Sequence, residues 1–184
     1  MRIALLFALF PGALAPLPAA QQGGDEPAPI YDETADAAAL IQDAVARAAH
    51  ANKRVLIVWG GDWCVWCRRL HHTLERGELA REILYEYELV PVDSRSNAEL
   101  ASRYGADLAK GVPFLTVLDG RGRVLANQET GVFEQGEGHD PAPILNFLRR
   151  WEAPPLDAVR LYAEARVRAA REGKRILIRF GAPW

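Results

Sequence analysis

The chain has only two cysteines, Cys64 and Cys67, and both lie where one structural periodicity gives way to another. The apolar run 55–59 before them predicts a buried strand, and the residues after them follow the spacing of an amphipathic helix. Cys64 is therefore expected at the helix N-terminus, with Cys67 one turn further on and on the same side. Unpaired N–H groups and the positive end of the helix dipole favour a thiolate there. This spacing suits attack by Cys64 on a disulfide, followed by resolution of the mixed disulfide by Cys67.

The rest of the chain alternates between helical and strand patterns. Ser96 to Glu99 has the form of a capping box, Ile30-Tyr31 is compatible with a short edge strand, and residues 131–140 read as a glycine-rich loop. The order of elements, with a hairpin before the last helix, predicts an α/β fold in which helices cover both faces of a central mixed sheet. The predicted helices are 36–50, 64–87, 96–104 and 143–151, and the predicted strands are 55–59, 89–92, 114–118 and 124–126.

The first 20 residues have the three regions of a secretory signal: Met1-Arg2, an apolar stretch, and small residues ending at Ala20. Cleavage is expected near Ala20, and an uncleaved anchor is the alternative. Residues 21–35 then form a flexible linker rich in glycine, proline and acidic side chains. We therefore expect a periplasmic or secreted protein without stable insertion in the membrane.

Charge and cysteine content restrict the classes of partner. The formal net charge is −2, which provides no general attraction to nucleic acid or to an anionic membrane. An exported protein meets conditions in which disulfides persist, yet this chain has no cysteine pair other than Cys64 and Cys67. The pair is better explained as a working dithiol than as a structural staple.

The C-terminal residues resemble the beginning of the predicted domain. When 157–184 is placed over 36–63, thirteen of 28 positions are identical, including Lys53-Arg54 and the closing Trp63. Two unrelated amphipathic helices would not also share a strand and a tryptophan. We expect 36–151 to be the first domain, 152–156 a proline-rich linker, and 157–184 the incomplete start of a second unit of the same kind.

Two features together resemble the thioredoxin-like family: Trp63-Cys64-Val65-Trp66-Cys67 after a buried strand, and Val112-Pro113 directly before a later strand. The lead-in 53–59 is similar to that of exported bacterial members that act as thiol–disulfide oxidoreductases. The resemblance implies a thioredoxin-like fold over about 36–151, an exposed nucleophile at Cys64 and a shielded partner at Cys67. It also implies a cis bond before Pro113 and a docking surface for protein substrates. That surface would comprise Trp63, Trp66, Val112 and Pro113.

The sequence departs from the family at one position. Members usually bury an acidic residue at the place that Val58 occupies here, so removal of the proton from Cys67 needs water or another group. The pair Val65-Trp66 between the cysteines also leaves the direction of electron flow open. We expect a reductase of protein disulfides that exchanges electrons with an unidentified redox partner. The alternatives are a disulfide oxidase or isomerase, or a thioredoxin-like module that senses redox state or binds a client without catalysis.

Other uses of the cysteines are less favoured by the residues. A structural disulfide between Cys64 and Cys67 would close too small a loop to stabilise the fold much. A zinc site could use His71 and His72 as ligands in addition to the two cysteines. Adjacent residues of a helix point about 100° apart, however, so both histidines cannot easily face one ion. Attachment of haem is excluded because Arg68, rather than histidine, follows the second cysteine. We expect neither a metal nor a cofactor.

Overall fold

A four-stranded mixed sheet lies at the centre of the molecule, in a computed structural model that describes residues 29–178. Its spatial order is β2-β1-β3-β4, with β1 parallel to β2 and antiparallel to β3, and β3 antiparallel to β4. The predicted mixed sheet is confirmed. The predicted signal peptide and most of the predicted linker lie outside the described residues. The strands are β1 (Arg54–Gly60), β2 (Tyr87–Asp93), β3 (Phe114–Leu118) and β4 (Val124–Glu129).

Helices cover both faces of this sheet, as predicted. Strand β1 shows why: Leu56 and Val58 pack into one apolar cluster, whereas Val55, Ile57 and Trp59 pack into another. Successive side chains of a strand point to opposite faces, so a strand that is apolar throughout must be covered twice. The helices are α1 (Ala37–Ala51), α2 (Val65–Leu74), α3 (Gly77–Glu86), α4 (Ala98–Arg103), α5 (Pro141–Trp151) and α6 (Ala158–Glu172).

The two clusters assign the helices to layers. Buried residues of α2, α3 and α5 lie with Leu56 and Val58, and both cysteines belong to this layer. Buried residues of α1 and α4 lie with Ile57 and Trp59 on the other face. The dithiol is thus at the end of the central strand, on the side of the sheet that carries three helices.

The single helix predicted over 64–87 is wrong. It is divided into α2 and α3, and Gly77, the first residue of α3, has φ +56°. A left-handed residue cannot continue a right-handed helix, and glycine adopts it without steric cost. The apolar spacing on both sides of the break concealed it from the sequence pattern.

Three smaller expectations also fail. Ile30 and Tyr31 form no strand, and their backbone N–H groups instead donate to the carboxylate of Asp62. Helix α4 begins after Asn97 without a side-chain cap, since the Ser96 N–H donates to Asp93 rather than closing a capping box. The segment 131–140, read as a loop, contains a short antiparallel hairpin of β5 (Glu134–Gln135) and β6 (Gly138–His139).

The C-terminal segment is helical over α6, but α6 buries none of its residues. Residues 174–178 form no strand, and the last part of the proposed repeat, including Trp184, lies outside the described residues. The linker before α6 is held to the first domain by Asn52, whose side chain donates to the carbonyl of Pro154 at 3.1 Å. A second unit beginning at 157 stays a prediction.

Candidate active site

The dithiol lies where β1 gives way to α2. Cys64 is the N-cap of α2, with extended backbone angles of φ −95° and ψ 112°. Its sulfur accepts a hydrogen bond from the backbone N–H of Cys67 at 3.1 Å. An N-cap side chain is placed to satisfy donors that the first turn of a helix leaves free, and a negatively charged sulfur would benefit most. Cys64 and Cys67 are joined as a disulfide, with their Cα atoms 5.2 Å apart.

The two sulfur-bearing residues differ in burial. Cys64 is 8% exposed and Cys67 is fully buried, packed in the same cluster as Leu70 and Leu115. Only Cys64 reaches the surface, so an incoming group would meet Cys64 first.

The segment before β3 lies directly against Cys64. The Cys64 sulfur is 3.7 Å from the carbonyl oxygen of Val112, and the Val112–Pro113 peptide is cis. The Pro113 carbonyl accepts a hydrogen bond from the buried hydroxyl of Thr130 at 2.5 Å. These contacts bring Val112 and Pro113 together with the dithiol, although 45 residues separate Cys67 from Val112 in the chain.

Trp63 is fixed beside the dithiol by a buried carboxylate. The indole N–H donates to Asp93 at 3.3 Å, and the guanidinium of Arg95 lies 3.8 Å from the centre of its ring. Asp93 is the last residue of β2, which is parallel to β1, so the two strands bring Asp93 and Trp63 to the same edge of the sheet. Trp63 is nevertheless 39% exposed, which leaves part of its surface available to a partner.

Trp66 lies on the other side, on the first turn of α2. Its ring meets the ring of His139 edge to face, with centroids 5.5 Å apart, and Arg69 lies 5.0 Å from its centre. His139 is buried, neither ring nitrogen has a hydrogen-bond partner among residues 29–178, and burial lowers its pKa. A neutral imidazole is therefore favoured beside the Trp66 ring.

Sequence reasoning missed Tyr31, Asp62, Asp93, Arg95 and His139, all of which shape this site. Asp93 followed a predicted strand and could have been suspected on that ground. For Tyr31 and His139, nothing local in the sequence indicates a place beside the cysteines.

The zinc ligands considered as a less favoured alternative are not gathered around one point in the described part of the chain. The Nε2 atom of His71 lies 3.0 Å from the Glu75 carboxylate, and His72 lines a groove of about 500 Å³ on the side of α2 toward α5. Among residues 29–178, no group of three or more His, Cys, Asp or Glu side chains is arranged to hold a metal ion. Over the same range, no helix is both long enough and apolar enough to cross a bilayer.

Comparison with known proteins agrees with this geometry. Residues 36–120 match the family model described as thioredoxin-like. A disulphide isomerase from Xylella fastidiosa Temecula1 is 28% identical with a TM-score of 0.60, over 66% of this chain and 95% of that one. No curated protein matches the chain.

Two further solved structures show lower similarity. A DsbH oxidoreductase is 23% identical with a TM-score of 0.45, over 59% of this chain and 81% of its own. A thioredoxin from Thermus thermophilus is 19% identical with a TM-score of 0.45, over 59% of this chain and 80% of its own. The sheet order, the cysteine pair and the family match agree, so residues 36–120 form a thioredoxin-like domain.

Proposed function

We propose that the protein is an exported thiol–disulfide oxidoreductase that reduces disulfides in other proteins. The observation that carries this proposal is the unequal burial of the pair, with Cys64 reaching the surface at a helix N-terminus and Cys67 fully enclosed. That arrangement supplies a nucleophile that a protein substrate can reach and a second thiol that only Cys64 can meet.

The reaction starts from the reduced dithiol. The Cys64 thiolate attacks one sulfur of a substrate disulfide, which forms a mixed disulfide and releases the other substrate sulfur as a thiolate that takes up a proton. Cys67 then loses its proton and attacks the Cys64 sulfur. This step forms the Cys64–Cys67 bond and releases the second substrate thiol. Two electrons pass from the dithiol to the substrate, and an external reductant must restore them.

Substrate docking is assigned to the surface around Cys64. The Val112 carbonyl, 3.7 Å from the Cys64 sulfur, is placed to accept a hydrogen bond from an extended substrate segment. Trp63 and Trp66 provide flat apolar surfaces on either side of the dithiol, and each carries an arginine over its ring. We infer that these rings, with Val112 and Pro113, bind the residues that flank a substrate cysteine.

A reduction assay tests the catalytic role. The purified full chain should reduce insulin disulfides with dithiothreitol as donor, and Cys64→Ser should abolish the activity. Cys67→Ser is the informative partner variant, because it keeps the nucleophile and should accumulate a mixed disulfide with the substrate. Equal activity of Cys64→Ser and the unaltered protein would leave only a binding or sensing role.

Isomerisation is the second candidate, supported by the likeness to the Xylella disulphide isomerase. The reduction potential separates the two candidates, since potentials of about −270 mV and about −180 mV are typical of a thioredoxin and of a protein disulfide isomerase. We expect a value nearer the lower figure. A potential near the upper figure, together with recovery of a scrambled disulfide protein, would favour isomerisation.

Export is a separate part of the proposal and rests on the sequence of residues 1–20. Expression with its own leader in a Gram-negative host should yield a periplasmic protein whose first residue is Gln21 or lies close to it. Mass spectrometry of the intact mature chain measures this directly. A cytoplasmic protein that retains its leader would contradict export without affecting the chemistry of the dithiol.

A further inference from the structure

The hydroxyl of Tyr31 lies near the buried cysteine and has no hydrogen-bond partner among residues 29–178. The residue precedes α1, is 2% exposed, and belongs to the same apolar cluster as Cys64 and Cys67. Its backbone N–H is held by Asp62 at 3.2 Å, but its buried hydroxyl makes no hydrogen bond within the part of the chain described. An unpartnered hydroxyl in a protein interior costs free energy, so its presence calls for an explanation.

The position of that hydroxyl is defined by Gly60, the last residue of β1. A Cβ atom on Gly60 would lie 2.8 Å from the Tyr31 hydroxyl oxygen and 2.8 Å from the sulfur of Cys67. The Tyr31 oxygen and the Cys67 sulfur each lie 2.8 Å from this Cβ position, so they are no more than twice that distance apart. Glycine at this position allows the tyrosine and the buried cysteine to converge.

Three charged groups around the dithiol, Asp62, Arg68 and Asp93, have partners of their own. Asp62 accepts from the N–H groups before α1, and Arg68 donates to the Asp62 carbonyl at 2.6 Å. Asp93 is occupied by Trp63 and by the N–H of Ser96. The ring of His139 packs against Trp66, and its two nitrogens have no hydrogen-bond partner among residues 29–178.

The core next to Cys67 also contains Val58, at the position where the family usually buries an acid. Val58 is buried in the same cluster and can neither donate nor accept a proton. Tyr31 is thus the polar side chain that the structure brings to the buried cysteine.

We propose that the Tyr31 hydroxyl donates a hydrogen bond to the Cys67 sulfur once the disulfide is opened, and so stabilises the thiolate that resolves the mixed disulfide. In the oxidised protein the Cys67 sulfur is covalently bound to Cys64, and no hydrogen bond joins it to the Tyr31 hydroxyl. A thiolate is a much stronger acceptor, and bonds to charged groups are about twice as strong as neutral ones.

Tyr31 acts as a donor and not as a base. Burial, reinforced by the negative charge of Asp62, raises the pKa of Tyr31 above its ordinary value, so the hydroxyl keeps its proton at physiological pH. The proton that leaves Cys67 passes to water, and the released substrate sulfur takes one up. The assignment to the resolving step rests on the proposed function, whereas the hydrogen bond itself does not.

The test uses the reduced full chain, labelled with ¹³C at the cysteine Cβ atoms and titrated by NMR. Tyr31→Phe removes only the hydroxyl. The matched control is Tyr87→Phe, which also removes a buried tyrosine hydroxyl, but at the far end of the sheet, where Tyr87 pairs with Arg54 and donates to the Leu148 carbonyl. A hydrogen bond to a charged group corresponds to about a tenfold change in an equilibrium constant or more.

We expect Tyr31→Phe to lower the acid dissociation constant of Cys67 about tenfold or more and Tyr87→Phe to leave it unchanged. Since nucleophilicity rises with thiol pKa, the resolving step should slow only about threefold, with the attack by Cys64 unchanged. Identical titration of Cys67 in Tyr31→Phe and the unaltered protein would overturn the inference. An equal shift in Tyr87→Phe, or loss of folding in Tyr31→Phe, would also overturn it. The titration needs no substrate, so failure to reduce insulin would count against the proposed function alone.

Discussion

Gly60→Ala is the perturbation for which the structure gives the sharpest prediction. The added methyl would lie 2.8 Å from the Cys67 sulfur, 2.8 Å from the Tyr31 hydroxyl and 2.9 Å from the Tyr31 Cζ atom. Unstrained carbon contacts fall at about 3.5 to 4.0 Å. The contact with the Tyr31 Cζ atom is therefore too close by more than half an ångström, and all three distances are shorter than those that real Cβ atoms show. Gly60 is the last residue of β1, where it pairs with Asp93 of β2 and its carbonyl accepts a hydrogen bond from the N–H of Ser94, so its backbone cannot move aside easily.

The expected cost is about 1 to 3 kcal/mol in the free energy of unfolding, the usual range for overpacking a close-packed core. Backbone strain does not add to this cost, because the φ of Gly60 lies outside the positive region that disfavours alanine. Gly138→Ala is the matched control: Gly138 also lies in a strand, and a Cβ atom there would meet nothing within 4 Å. That control should be neutral, or stabilising by up to about 1 kcal/mol.

Equilibrium urea unfolding of the oxidised proteins, followed by tryptophan fluorescence, measures both variants. Two of the three close atoms belong to Tyr31, so Gly60→Ala should cost less in a Tyr31→Phe background, where the hydroxyl contact is gone. Equal unfolding midpoints for Gly60→Ala and Gly138→Ala would refute the proposed convergence at Gly60. An unchanged cost in the Tyr31→Phe background would refute the part assigned to the hydroxyl.

Three further predictions concern other parts of the molecule. Burial, the hydrogen bond with Glu152 and the negative charge of Glu152 raise the pKa of Glu82 from 4.5 to about 7. Between these two values Glu82 keeps a proton in the folded state that it loses in the unfolded state. The free energy of unfolding therefore falls as the pH rises through this range. Above pH 7, urea unfolding should therefore show that Glu82→Gln is more stable than the unaltered protein by about 1 to 2 kcal/mol. A stability difference that is the same at every pH would contradict this prediction. Asp62→Ala removes the acceptor for two backbone N–H groups and should cost about 1 to 3 kcal/mol, with faster hydrogen exchange at Tyr31; unchanged exchange there would contradict it. Deletion of 156–184 should leave the unfolding midpoint and insulin reduction within error, because α6 buries no residue, and loss of cooperative unfolding would show that this segment belongs to the first domain.

The sequence by itself determined the features that depend on neighbours along the chain. The unbroken apolar run in β1 required cover on both faces, and the two clusters supply it. The spacing of Cys64 and Cys67 placed one at the helix cap and the other one turn inside, since three residues make almost one turn. The cis bond before Pro113 was expected only from the resemblance to a family, and the residues alone did not predict it.

Predictions from local sequence were wrong where another interaction or a backbone conformation outweighed the apolar periodicity. The apolar spacing continued across Gly77, so the division between α2 and α3 was hidden, although the left-handed backbone at Gly77 ends any helix there. Ile30 and Tyr31 have the composition of a strand, but the Asp62 carboxylate holds both N–H groups. A side chain 31 residues away competes with strand pairing in a manner that no window of sequence reveals.

Tertiary structure alone decided what surrounds the two sulfurs. The apolar periodicity indicates which side of a helix or strand is buried. It does not indicate which distant residue packs against that side, because the path of the chain between elements decides this contact. Asp93 reaches Trp63 because two parallel strands end together, and His139 reaches Trp66 through a short hairpin. Tyr31 reaches the neighbourhood of Cys67 because Gly60 has no side chain to keep them apart. The sequence therefore defined the reactive pair, and the fold selected the groups that can tune it.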